Sequence, residues 1–178
     1  MLEQLFPNLI VKLPEFGQSI IDTFVMLGIT GLFSLIFGTF FGVILVVTKE
    51  GNILENKIVY TILSTIIDLF RAIPFIILII ALISVTRFVM GTSIGIRGAV
   101  FPLIVGSVPF FARQVESALS EVDNGLIEAS QAMGCSPIEI IFRVYLKESI
   151  PALIRATTIT LIAIIGYISM AGAVGAGG

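Results

Sequence analysis

Long apolar stretches alternate with short polar ones along this chain. Thr23–Thr48 holds no charged residue. About 20 apolar residues in a helix cross the hydrocarbon core of a bilayer, so this stretch reads as a first span. Ile58–Val85 is a second apolar run, interrupted by Asp68 and Arg71 at i, i+3 and then by Pro74. The two charges can pair on one helix face, and the proline kinks or breaks the helix. Gly98–Ala112 is uncharged but too short to span alone. Continued to about Leu119 it becomes a third span, with Pro102 and Pro109 inside it and Arg113 and Glu116, again at i, i+3, near its end. Ala156–Gly178 is the fourth uncharged stretch. The pattern predicts an all-α membrane protein, one transmembrane domain over residues 1–178, with spans at about 20–48, 58–85, 96–119 and 150–172.

The connecting pieces are short. Lys49–Lys57 is a polar loop with Gly51-Asn52 as turn formers, and Thr86–Arg97 reads as a second loop. Met1–Gly17 starts acidic, unlike a signal peptide, and reads as a retained amphipathic lead-in at the membrane surface. Gly38-Thr-Phe-Phe-Gly42 has the small-xxx-small spacing that lets helix backbones approach, more often within one subunit than at a dimer seam. The end of the fourth stretch is dense in glycine, from Gly166 to Gly178. Glycine costs about 1 kcal/mol relative to alanine in a helix, so this end suits a place where backbones touch or line a cavity.

The longest polar-containing segment, 121–147, separates the third and fourth stretches. Leu126, Ile127, Ala129, Ala132 and Met133 recur near helical spacing and predict a helix with one apolar face. Gly134 is its stop. Ser136-Pro137-Ile138-Glu139 then has the capping-box pattern, with serine at the cap, proline first and glutamate third. A second helix follows, from Pro137 to about Tyr145.

Composition narrows the chemistry. Of 178 residues, 57% are hydrophobic and 12% charged, about half the charge of a soluble domain; mean hydropathy is +1.11. There is no histidine and one cysteine, Cys135, so the commonest general base and any cysteine metal cluster are missing. Neither a catalytic nor a metal-ligating residue is predicted. Cys135 reads as a small buried residue. A net charge of -2 offers nothing to nucleic acid. No Gly-x-x-x-x-Gly-Lys-Ser/Thr sequence occurs, so no nucleotide site or other cofactor is expected in this chain, and any ATP that drives it is bound by a partner.

Glu128-Ala129-Ser130, three residues, Gly134, nine residues and then Val144-Tyr145-Leu146-Lys147 resemble the Glu-Ala-Ala loop of ABC-importer permeases. Ser130 and Lys147 stand where that pattern has alanine and proline. Phe70-Arg71-Ala72-Ile73-Pro74-Phe75-Ile76-Ile77-Leu78 and the run 85–121, with Val108-Pro109-Phe110-Phe111-Ala112-Arg113-Gln114-Val115-Glu116, resemble the methionine importer permeases among them. The resemblance covers nearly the whole chain. It implies a type I importer permease bundle, with about four transmembrane helices here and a fifth expected after the glycine-rich end. It implies transport of a small amino acid, methionine in D or L form, with ATP hydrolysed by a separate ATPase subunit. The further partners it implies are an extracellular solute-binding protein, a second copy of the chain and the lipid bilayer of a bacterial inner membrane. Glu128, Ala129, Ser130, Gly134 and Pro137 would couple to the ATPase. Tyr167, Ser169 and Met170 would line the gate of the pathway.

Two readings stand beside this one: a permease for another small polar solute, and a secondary transporter or channel without an ATPase. Secondary transporters show paired repeats and more spans, and no internal repeat is visible here. Asp68 and Arg71, as an intramembrane pair, are either functional or a self-neutralising pair at a bend. Counting basic residues by side sets Lys49, Lys57, Arg113, Arg143, Lys147 and Arg155 against Lys12, Arg87 and Arg97. That count expects the 121–147 loop in the cytoplasm and the N-terminus outside.

Overall fold

The structure, a computed structural model, describes residues 7–175, with side chains from Pro14 onward. The predicted lead-in therefore lies partly outside the described residues. The remainder is helical and continuous with the first long helix, α1, Pro7–Thr48. The other helices are α2, Lys57–Ala72; α3, Phe75–Ala81; α4, Ile83–Met90; α5, Gly95–Leu119; α6, Asn124–Ala132; α7, Pro137–Ile140; α8, Leu146–Glu148; and α9, Ile150–Ala173. A single π-helical segment, Ile141–Tyr145, joins α7 to α8. Among the described residues three helices are long and apolar enough to cross a membrane, and the bent pair α2–α3 passes the same test as a broken span or a re-entrant loop.

α5 is the centre of the bundle and packs on α1, α9, α2, α3 and α4. Its interface with α1 is built from small residues. Met26, Thr30, Ser34, Gly38 and Gly42 are all buried and recur every fourth residue, so they form one face of α1. Phe24, Leu32, Ile36 and Phe40 are exposed on the same helix. Large outside and small inside is the arrangement expected in lipid, where burying apolar surface between helices gains little over lipid contact and close packing takes over. A Cβ added at Gly38 would lie 2.6 Å from the Phe111 ring, and one at Gly42 would lie 2.6 Å from Val115 and 2.8 Å from the Ala112 carbonyl oxygen. The small-xxx-small pair is thus a seam within one chain. Between the glycines and Met26, the Ser34 and Ser107 hydroxyls meet at 2.6 Å. Ser107 gives its proton to the Leu103 carbonyl at 2.6 Å, so Ser34 is the donor across the helices.

The second apolar run is not one helix. Ile73 is extended, with φ -81 and ψ 122, as the residue before proline prefers, and α2 and α3 meet at 101°. Pro102 and Pro109 leave α5 unbroken because that helix is held by neighbours along its length. A further difference follows: residues 83–90, of which 86–90 were expected in a loop, form α4, ended by Gly91 with φ +75. The glycine-rich tail also departs from propensity. α9 stays helical through Gly166 and Gly172 to Ala173, since a backbone in hydrocarbon must satisfy its own polar groups, and Ile164, Ile168 and Ala171 bury its inner face.

Gly42→Val places a branched side chain against the α5 backbone. The expected result is a loss of about 1–3 kcal/mol, as for overpacked cores, read as a lowered thermal midpoint in detergent; Phe40→Leu on the outer face of α1 should leave that midpoint unchanged.

Candidate functional site

The 121–147 segment is two short helices set at the foot of the bundle. Asp123 caps α6, its carboxylate accepting from the Gly125 N–H at 2.6 Å. Gly134 ends it with φ +81, a left-handed conformation that a side chain would strain. Ser136 caps α7 in a complete capping box: its hydroxyl accepts from the Glu139 N–H, and the Glu139 carboxylate accepts from the Ser136 N–H at 3.0 Å. The Ser136 N–H, then its hydroxyl and then the charge of Arg143 hold the Glu139 carboxyl below its ordinary value.

One side of this loop is bolted to the membrane helices. Ile127, Ile140 and Tyr145 are buried in one cluster with Val46 and Val47 of α1, Val115, Ala118 and Leu119 of α5, and Ala152 and Ala156 of α9. Tyr145 is 1% exposed and donates to Asn52 Oδ1 at 2.6 Å, which ties the loop to the α1–α2 turn. Burial pushes the Tyr145 hydroxyl above its ordinary value, so it keeps its proton and remains a donor. Arg155 of α9 reaches Glu121 at 3.1 Å. The other side is open. Leu126, Met133, Ile138 and Phe142 are exposed, Met133 to 76%, and Glu128, Ala129, Gly134 and Pro137 lie exposed among them.

The expected single apolar face of α6 is therefore split. Ile127 and Ser130 point into the protein, and Ser130 spends its hydroxyl on the Leu126 carbonyl at 2.8 Å. Ser130 does not share the outer surface with the other four residues proposed for coupling. Sequence reasoning did not reach the anchors Tyr145 and Asn52. A tyrosine on the same side of α7 and the π segment as Ile140 was the available signal.

Higher in the bundle, the two predicted charge pairs merge. Asp68 and Arg71 pair at 3.2 Å, and Arg113 and Glu116 at 2.5 Å. Arg113 also grips Asp68 through Nε at 3.1 Å and Nη2 at 2.7 Å, and bonds to Ser64, so it bridges α2 and α5. Glu116 is buried and takes a further bond from the Tyr60 hydroxyl at 3.2 Å. Asp68 and Arg71 stay partly exposed. A charged pair facing lipid is costly, so this flank faces water or protein. On α9, the Tyr167 ring stacks on Phe75 with centroids 4.6 Å apart. Met170 is exposed one turn further along the same side, whereas Ser169 lies about 160–200° round the helix from Tyr167 and bonds to its own Ile165 carbonyl. Tyr167 and Met170 are brought together; Ser169 is not with them.

The family model described as "Binding-protein-dependent transport system inner membrane component" matches residues 34–178. The chain belongs to this family. Among its relatives, the D-methionine transport system permease protein MetI of Salmonella typhimurium is 48% identical over 151 residues, 85% of this chain and 70% of that protein. The methionine import system permease protein MetP of Bacillus subtilis is 44% identical over all 178 residues, 79% of its own length. A solved inward-facing structure of the MetNI methionine ABC transporter superposes with a TM-score of 0.92 at 47% identity, over 94% of this chain and 77% of that one. An amino acid ABC transporter at 18% identity shares the fold, with a TM-score of 0.75. The protein is a multi-pass inner-membrane permease with the type I importer fold, a transport subunit.

In this importer permease the Arg113 bridge has a measurable weight. Arg113→Gln leaves Glu116 buried without its cation, and losing one partner of a buried pair costs about 3–5 kcal/mol. Arg113→Gln/Glu116→Gln should recover most of that, because no charge is then stranded. Thermal midpoints of the two variants in detergent check this; equal losses would rule the stranded charge out as the cause.

Proposed function

We propose that the chain forms the membrane path of an ATP-driven methionine importer, working as a homodimer with a separate ATPase and a solute-binding protein. The observation that carries the reading is the two-sided 121–147 loop: one side is locked to the ends of α1, α5 and α9, and the other presents Leu126, Met133, Ile138 and Phe142 to a partner. An exposed apolar patch of this kind marks an interaction site. Methionine as the solute is supported by two relatives at 44–48% identity, a D-methionine permease and a methionine import permease.

The mechanism is a two-state switch. ATP binding closes the ATPase pair, the docked loops move together, and the membrane helices rock between inward-open and outward-open forms. Transmission needs a loop that does not bend. The capping box, the left-handed stop at Gly134 and the Tyr145–Asn52 bond supply that stiffness. Glu128 is placed to meet a basic group on the ATPase. The loop then faces the cytoplasm, in keeping with the six-to-three excess of basic residues on its side. The exposed flank of α2 with Asp68 and Arg71 faces the second copy across the path, where charge is tolerated. Tyr167 and Met170 line this path, and Met170 is a flexible, polarizable plug at its narrow point.

The deciding experiment is uptake of radiolabelled methionine by proteoliposomes holding the permease, with and without the ATPase and binding protein. Uptake that requires ATP and all three components establishes the importer; uptake without the ATPase would make the protein a secondary transporter. In the complete system Glu128→Lys and Gly134→Trp should abolish most uptake while the permease still inserts, and full uptake by both variants would remove the loop from the coupling path. Met170→Ala should raise passive leak of methionine or change the transport rate, and unchanged values for both would return Met170 to packing.

A further inference from the structure

The break between α2 and α3 leaves a cavity of about 230 Å³ lined by Arg71, Phe70, Phe75, Gly106, Phe110 and Tyr167, among others. Its size is below the ~300–1,000 Å³ of sites for drug-sized ligands, so it suits a small molecule. Its walls are aromatic, with one cation at the rim. The Phe75–Tyr167 stack forms one of those walls.

Arg71 is under-used as a structural residue. A guanidinium carries five N–H donors, and among the described residues Arg71 makes one hydrogen bond, to Asp68 Oδ1 at 3.2 Å. Asp68 does not depend on it, since Arg113 already holds both carboxylate oxygens, at 3.1 and 2.7 Å. Asp68 is nonetheless 55% exposed at its side chain. Thr61, Thr65 and Asp68, all exposed, form a polar track along α2 that ends at Arg71. The helix stops one residue after Arg71, so the carbonyls of its last turn have no following N–H to take.

We propose that this cavity is a transit site for a zwitterionic amino acid: Arg71 holds the α-carboxylate, Asp68 and the free carbonyls of α2 receive the α-ammonium, and the side chain enters the aromatic pocket. The proposal rests on the importer reading above. A neighbouring anion and cation are the mirror image of a zwitterion, and a carboxylate can engage two guanidinium N–H groups at once. The pocket wall favours a thioether or aliphatic side chain, because sulfur packs well against ring edges. A solute lacking the α-carboxylate leaves the spare Arg71 donors unfilled, which is how the site discriminates.

The test uses the full permease with its ATPase and binding protein in proteoliposomes. Arg71→Gln should lower methionine uptake about tenfold to a hundredfold, the loss of one charge-assisted pair, and Arg71→Lys should keep part of it. A pair that only neutralises itself predicts full uptake by Arg71→Gln, because Arg113 still holds both oxygens of Asp68, and full uptake would overturn the proposal. A direct readout uses a methionine analogue with a diazirine side chain, applied to the wild-type complex without binding protein. Labelling should fall on Phe70, Phe75, Phe110 or Tyr167 and diminish in Arg71→Gln. Labelling elsewhere, or labelling unchanged by the substitution, overturns the site while leaving the importer intact. Absence of wild-type uptake in the complete system overturns the importer reading and this one with it.

Discussion

Ile127, Ile140 and Tyr145 sit in one buried cluster with residues from the ends of α1, α5 and α9. A loop that must pass force to a membrane bundle can do so only if its own hinge is harder to bend than the bundle is to tilt. Side chains packed at the density of a protein interior move as a unit, and the Tyr145–Asn52 bond, in a pocket that excludes water, adds direction to that packing. The rest of the structure can be understood from this contact. The outer surface of the loop is open while the inner one is engaged, and a partner docked there would move three membrane helices together.

Lipid sets the second constraint. Hydrocarbon offers no hydrogen bonds, and several hydroxyls in the spans turn back to their own helix, as Thr48 does to Ile44 at 2.6 Å and Thr160 to Ala156 at 2.8 Å. Association of α1 with α5 relies on the fit of Gly38 and Gly42 to Phe111 and Val115. Charges in the spans are gathered where they satisfy one another. Arg113 neutralises Glu116 inside the protein and Asp68 at its edge, and the cluster ties α2 to α5 beside the buried cluster that holds Ile67 and Ala112. Arg71 makes one hydrogen bond among the described residues, and it stands beside the 101° break between α2 and α3.

Pro74 illustrates how a local signal acquires consequences. Its effect on ψ of the preceding residue ends α2, and the chain restarts as α3 at 101°. That turn moves Phe75 under Tyr167 of α9, ninety-two residues away in sequence by simple subtraction. Pro102 and Pro109 act on the same physics without the same outcome, because α5 is enclosed by neighbours that hold its backbone in line.

The sequence by itself determined the class of protein and placed its long apolar helices α1, α5 and α9, because hydrocarbon thickness demands long uncharged helices and a one-dimensional reading of charge finds them. It also determined the local stops and starts of the 121–147 loop: Gly134, with its need for positive φ, and the Ser136–Glu139 capping box act over three or four residues. The family was legible through motif spacing for the same reason. Other features were decided only in three dimensions. Thr30 and Ser34 read as unremarkable polar residues, yet they extend the Gly38–Gly42 face, since in lipid the buried side is the small one. Ile127 and Leu126 are neighbours of equal hydropathy, and only the position of α6 against α1 and α5 sends one inward and leaves the other for a partner. The pairs Asp68–Arg71 and Arg113–Glu116 each follow from i, i+3 spacing, whereas the bond from Arg113 to Asp68, forty-five residues away, exists because two helices cross at that point.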